Sequence, residues 1–451
     1  MMEQLVKNEK KKKEIGIVFI LLALISLIGG VFFGSISALQ FIIPDFLNSI
    51  PFVKSRPLHV SLVVAWIFLS SIGGIYYYLP RYCNLPLFSN KLPRIHFWIF
   101  LFTGVIILTC YIIGKFGGRE YWEFPPILAI PIFISWILFG FNYFKTVFKK
   151  VGQWPVYLWM WGTGIFFFLF TFSESYLWLF PYFRDNIVRD ITVQWKAYGA
   201  LVGSWNMLVY GTAIFVMERV KGDESVAKSK LSYLMYFLGF TNLLFGWAHH
   251  IYIVPSAPWI RYFAYFISMT ELLILGKIIW NWKNSLSEAK KDFHIISYRF
   301  IVASDIWVML NLALALVISV PAINIFTHGT HITVAHAMGS TIGINTMILL
   351  ASCFFLIGDI TKHQFQLQHR KIIKSGFWIT NIFLMIFWLS LLFAGAEKGK
   401  LIVEDKLSFQ EIMQNISPYL TVFTISGIGM FIGLLMVIFP ALKAIKTYLL
   451  N

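Results

Sequence analysis

The stretch Thr327-His-Gly-Thr-His-Ile-Thr-Val-Ala-His-Ala-Met-Gly-Ser-Thr-Ile-Gly343 decides how this chain is read. It opens an apolar segment that runs on to about Ile357. Polar and ionisable side chains at the mouth of a membrane helix are expensive and are kept where they serve a site. His336 and Met338 stand two positions apart, so on a helix they project to flanks about 200° apart. Imidazole and thioether are both ligands for haem iron. One helix carrying both is placed to serve two such groups, one on each flank.

Composition sets the class. The chain has 451 residues, of which 58% are apolar, 18% aromatic and 13% charged. A soluble globular protein of this size needs more polar surface than that. A polytopic helical membrane protein, all-α and solvated by a lipid bilayer, does not. The formal charge of +16 would point to nucleic acid in a soluble chain. Here the positive residues gather in alternate loops, which reads as membrane orientation and leaves no nucleic-acid partner expected. Cys83, Cys110 and Cys353 are too few and too scattered for a disulfide framework or a zinc site. The first apolar run is too long for a signal peptide and lacks a small-residue cleavage site, so it reads as a first transmembrane helix.

The pattern predicts twelve spans, over about 15–43, 59–80, 96–115, 124–147, 155–180, 197–218, 231–254, 259–282, 297–320, 332–357, 374–396 and 418–445. Residues 1–14 form a lysine-rich tail, and 15–451 read as a single twelve-helix membrane domain. The even-numbered loops are basic: Arg81, Lys91 and Arg94, then Lys145, Lys149 and Lys150, then Arg219, Lys221, Lys228 and Lys230, and so on to Lys371 and Lys374. The opposite loops mix signs, as in Arg184, Asp185, Arg189 and Asp190. Both termini are therefore expected to be cytoplasmic. This topology places His59 at the outer end of span 2, His249 and His250 near the outer end of span 7, and His336 and Met338 near the outer end of span 10. Histidines scattered for other reasons would not share one depth.

Individual residues add to this. Neighbouring positions on a helix are about 100° apart, so the adjacent pair His249–His250 grips one ion only with local distortion; imidazole suits iron or copper. Glu271 lies inside span 8, where a carboxylate is a functional candidate by default. Glu174 and Asp305 also lie in apolar runs, with no role assigned.

Five stretches follow one another in the chain: Arg56-Pro-Leu-His59, Gly117-Gly-Arg-Glu-Tyr-Trp-Glu-Phe124, Gly246-Trp-Ala-His-His250, Ser268-Met-Thr-Glu-Leu272, and the opening Thr327-His-Gly-Thr-His-Ile-Thr-Val-Ala-His336. In this order they resemble the large subunit of nitric oxide reductase, within the haem–copper oxidase superfamily, and the likeness covers essentially the whole chain. The resemblance implies a low-spin haem b held by His59, with Arg56 near its propionates, and a high-spin haem b held by His336. It implies a non-haem iron or copper on His249 and His250, and Glu120 helping to hold a calcium ion. Glu271 matches a glutamate kept near the non-haem metal, for proton delivery or support of the site. His328 and His331 are expected to pack over a haem edge. The family's last histidine is Met338 here, which makes Met338 the expected second axial ligand of the low-spin haem.

Span 6 departs from the pattern. In Tyr198-Gly-Ala-Leu-Val-Gly-Ser-Trp-Asn206, Tyr198 stands where the family has a third metal-ligating histidine, Val202 where it has a glutamate, and Asn206 where it has a second carboxylate. No histidine occurs between His96 and His249, so spans 4 to 6 cannot replace the lost imidazole. Tyr198 is expected to point into the same space as the histidine pair. The resemblance implies a respiratory subunit of the bacterial inner (plasma) membrane. It would reduce nitric oxide to nitrous oxide with electrons from a membrane-anchored cytochrome c subunit. Two other classes stay open: an oxygen-reducing subunit of cytochrome c oxidase type, and a non-catalytic haem protein for electron transfer or sensing.

Overall fold

The computed structural model describes residues 14–450 except 253, 256, 269, 405 and 406, and leaves the side chains of Gln366 and Glu404 undescribed. The basic tail predicted over 1–14 therefore lies outside the described residues apart from Glu14. Among the described residues there is no strand, only an isolated bridge between Arg119 and Trp122.

Among the described residues, twelve helices are long and apolar enough to cross a membrane. They are α1 (Ile15–Ile42), α2 (Phe52–Tyr82), α3 (Leu92–Ile112), α4 (Pro126–Val147), α5 (Val156–Leu179) and α6 (Ile187–Lys221). After these come α7 (Lys230–Ile251), α8 (Pro258–Ser285), α9 (Ile295–Ile318), α10 (His331–Ile360), α11 (Leu367–Val403) and α12 (Phe409–Leu450). The bundle is the all-α, twelve-span membrane architecture expected from the apolar runs. Its outer surface is apolar: on α3, Trp98, Phe102, Val105 and Ile106 are all exposed, as lipid requires.

α10 is the most enclosed span, with 89% of its apolar window buried against 28% for α3. A helix so enclosed can carry polar side chains without presenting them to lipid. Its polar residues are paired to neighbouring helices. Thr346 accepts from the Trp66 indole of α2 at 3.1 Å, and Asp359 accepts from the Tyr77 hydroxyl at 2.5 Å. Between these rungs α2 advances by eleven residues and α10 by thirteen, so the two helices run in parallel. Asn345 donates to Asn206 of α6 at 3.2 Å. Between α7 and α8, Asn242 donates to Glu271 at 2.7 Å.

Three irregularities fall on the stretches singled out above. The end of α7, Gly246–Ile251, is a 3-10 helix. α8 is interrupted: its helix Pro258–Ile267 ends on extended backbone at Ser268 and resumes at Thr270, where the sequence predicts a continuous span. Within α10, Gly339–Thr346 winds as a π-helix. Such irregular turns cluster at functional sites.

Candidate functional site

The hydrogen bonds between helices define a level in the bundle. Asn206, Asn242 and Glu271 line one small cavity, Asn345 is bonded to Asn206, and Thr346 to Trp66. From this level, counting toward the end of the bundle where α2 and α10 begin, His59 lies seven positions from Trp66 and Tyr198 eight from Asn206. His249 lies seven from Asn242, and Met338 and His336 lie seven and nine from Asn345. With a rise of about 1.5 Å per α-helical residue, and different rises along the π and 3-10 turns, these residues sit on the order of 10 Å above the shared level. The spacing along each helix therefore puts the predicted ligands on the same side of that level, at similar heights.

His59 is held by α1. Its Nδ1 lies 2.7 Å from the carbonyl oxygen of Gly30, which leaves Nε2 free for another partner. The ring fits because Gly34 has no side chain: a Cβ there would fall 2.7 Å from His59 Nδ1 and 2.9 Å from Cε1. His336 and Met338 stand on the α-helical turn His331–Met338, before the π-helix. His336 is half-buried, and its Nδ1 has no hydrogen-bond partner. Met338 packs against the main core from a half-buried position.

The rings of His249 and His250 are 4.1 Å apart, at 40° to each other, on the 3-10 turn. His249 Nδ1 lies 3.4 Å from the Ser268 hydroxyl, at the break in α8. His250 is stacked on the indole of Trp195, 5.3 Å away and inclined by 12°. The same indole meets His328 edge-on at 6.1 Å. His336 and His328 are both within electrostatic range of the pair. Burial lowers the pKa of His328 in the loop before α10, which keeps it neutral. Tyr198 is buried, with its ring edge-on to Tyr121 at 5.1 Å and to Trp195 at 6.5 Å. Its hydroxyl is buried without a partner.

Arg56 and Glu120, read separately from the sequence, are given to each other. Arg56 donates to Glu120 at 2.6 Å and to Glu123 at 2.9 Å. Burial raises the pKa of Glu123, with Arg56 acting against it. Arg119 pairs with Asp190 at 2.6 Å and tethers the loop to the start of α6.

The residues fit some of the implied cofactors and not others. His59, with one nitrogen fixed and the other free, and Met338 at the same depth across the α2–α10 seam have the chemistry of a haem's axial pair. His336, an imidazole with an unpartnered nitrogen, suits a single axial ligand. The non-haem metal is not matched. The pair supplies two imidazoles, one of them stacked on Trp195. Among the described residues no three His, Cys, Asp or Glu side chains are grouped to hold a metal ion. Nor do Glu120 and Glu123 offer calcium the six to eight oxygens it takes, since Arg56 engages both carboxylates.

Trp195, Asn242, Glu123 and Gly30 shape these sites without having been singled out in the sequence. Trp195 and Tyr198 are three apart on α6 and so share a face, a spacing that was readable.

Residues 14–429 match the family model described as Cytochrome C and Quinol oxidase polypeptide I. The chain is 24% identical to a nitric oxide reductase chain of Stutzerimonas stutzeri over 444 residues, which cover 92% of this chain and 91% of that protein. It is 21% identical to the Cbb3-type cytochrome c oxidase subunit CcoN1 of the same organism, over 88% of this chain and 86% of the other. A heme-copper terminal oxidase dimer solved by cryo-EM shares the fold, with a TM-score of 0.76 at 13% identity, over 97% of this chain and 84% of that one.

Proposed function

The chain belongs to the Cytochrome C and Quinol oxidase polypeptide I family, and from that premise we propose that it is the haem-carrying subunit of a respiratory terminal reductase acting on nitric oxide. The observation that carries this reading is the common depth of His59, His336 and Met338, with the His59 ring oriented by Gly30. The near-complete T-H-G-T-H-I-T-V-A-H motif and the likeness to the nitric oxide reductase chain favour nitric oxide.

His59 and Met338 would hold a low-spin haem b and His336 a high-spin one, and the haems, when bound, supply electron storage and a place for a small gas. The remaining work falls to the chain. Glu271, enclosed between α7 and α8 and held by Asn242, would hold a proton on the level below the histidine layer. Trp195 fixes His250 at the side of that layer. Two nitric oxide molecules, two electrons and two protons give nitrous oxide and water. The electrons would come from a membrane-anchored cytochrome c subunit. The basic loops support a reading in which both termini are cytoplasmic, in a bacterial inner membrane.

Oxygen reduction is the second reading. It is favoured by the likeness to the CcoN1 subunit and by Val202 and Asn206, which remove the carboxylates that would mark a nitric oxide site. The test is turnover by the detergent-purified complex with reduced cytochrome c. Nitrous oxide formed from nitric oxide, faster than oxygen is consumed, supports the first reading. Oxygen consumption without nitrous oxide supports the second, and neither gas consumed rejects both.

A further inference from the structure

A cavity of about 10 Å³ lies among α5, α6, α7 and α8, lined by Asn206, Tyr210, Asn242, Glu271 and apolar side chains. That is room for a single water. Glu271 is 3% exposed, and its two oxygens are treated differently. One accepts from Asn242 Nδ2 at 2.7 Å; the other is buried with no partner. A carboxyl group at membrane depth with one oxygen unsatisfied is costly in either protonation state: as an acid it needs an acceptor, as an anion a donor. A water serves both. Across the cavity, Asn206 accepts from Asn345 Nδ2 at 3.2 Å, and Asn345 belongs to the π-helix nine positions beyond His336.

We propose that this cavity holds one structural water, and that Glu271, the water and the Asn206–Asn345 pair form a proton-holding link between α8 and the helix that carries His336. The division of labour follows from the side chains. An amide donates and accepts but does not take up a proton near neutral pH, so Asn206, held by Asn345, orients the water while Glu271 holds the charge-bearing proton. Asn206 is thus a positioning residue. Gly246 belongs to the same arrangement, because a Cβ there would overlap the amide of Asn242, whose other end holds Glu271. The link rests on the reading of Glu271 as proton donor, and it adds the route by which that proton is oriented.

Infrared difference spectroscopy of the purified protein tests it without any gas turnover. The spectrum of wild type minus Glu271→Gln isolates the carboxylic C=O band of Glu271. With the water present, Asn206→Leu, which fills the cavity, moves that band to higher frequency as a hydrogen bond is lost, and removes a weak O–H band sensitive to H₂¹⁸O. Should Asn206→Leu not assemble, Asn206→Ala removes the amide without filling the space and again moves the band. A Glu271 band that stays in place in whichever Asn206 variant assembles overturns the link. Whether the band also changes when the haems are reduced is a separate result: a band that moves with Asn206 but not with reduction keeps the water site and rejects Glu271 as proton donor.

Discussion

The Nδ1 of His59 lies 2.7 Å from the carbonyl oxygen of Gly30, so the ring is fixed across the α1–α2 seam with its other nitrogen left free. A histidine oriented in this way is prepared for a metal in a manner that a merely interfacial histidine is not.

Gly34 makes room for that ring, and Gly34→Ala should disturb it. The new Cβ would meet the imidazole at 2.7 Å, and overpacking of this kind costs about 1–3 kcal/mol. The expected outcome is loss of one of the two haems, read as a pyridine haemochromogen content falling by about half, with the low-spin signal lost first. Gly104→Ala on α3 is the control, because nothing lies within 4 Å of its Cβ and no change is expected. Equal haem content in both variants would show that the His59 ring is not the haem's anchor.

Acid should weaken the histidine end of the bundle through His328. Burial depresses its pKa below the ordinary 6.5, so the folded chain resists a proton that the unfolded chain accepts. The stability this residue contributes is present above pH 6.5 and is lost as pH falls from there through the lowered folded value. Thermal melts across that window should drop less steeply in His328→Gln than in wild type. Parallel curves would assign the acid sensitivity to other groups.

Tyr198, expected from the resemblance to stand in for a metal-ligating histidine, has its ring edge-on to both Tyr121 and Trp195, and its hydroxyl has no partner. Removing an unsatisfied buried hydroxyl is nearly neutral or stabilising by about 1 kcal/mol. Tyr198→Phe should therefore keep its haem and metal content and melt at the same temperature or slightly higher. A marked loss of metal or of stability would mean that the hydroxyl has a partner in the assembled protein.

The spans were legible because a run of some twenty apolar residues has few other uses. That the helix is irregular at His249 and His250 was also legible, but the 3-10 turn found there spreads adjacent side chains to about 120° and so does not turn the pair toward one ion. The break in α8 was not: Ser268 and its neighbours include neither proline nor glycine to mark it. The pairing of Arg56 with both Glu120 and Glu123 was hidden for a related reason. It requires Tyr121 to adopt a left-handed backbone, with φ of 70°, which turns two glutamates three residues apart toward one guanidinium. Trp195 drew no notice because an aromatic residue in an aromatic-rich chain stands out only once its neighbour is known to be His250.

The central claim is that His59 and Met338 face one haem across the α2–α10 seam, at the depth set by the Trp66–Thr346 bond, while His336 serves another. A thioether favours ferrous over ferric iron, so His/Met ligation raises the reduction potential relative to bis-His and leaves a weak far-red charge-transfer band in the ferric state. The most direct measurement is that band, recorded on the oxidised protein and on Met338→His together with the potential of the low-spin haem. The account predicts a band in the wild type, its loss in Met338→His, and a lower potential in the variant. A wild type without the band, and a potential that does not move on substitution, would contradict it.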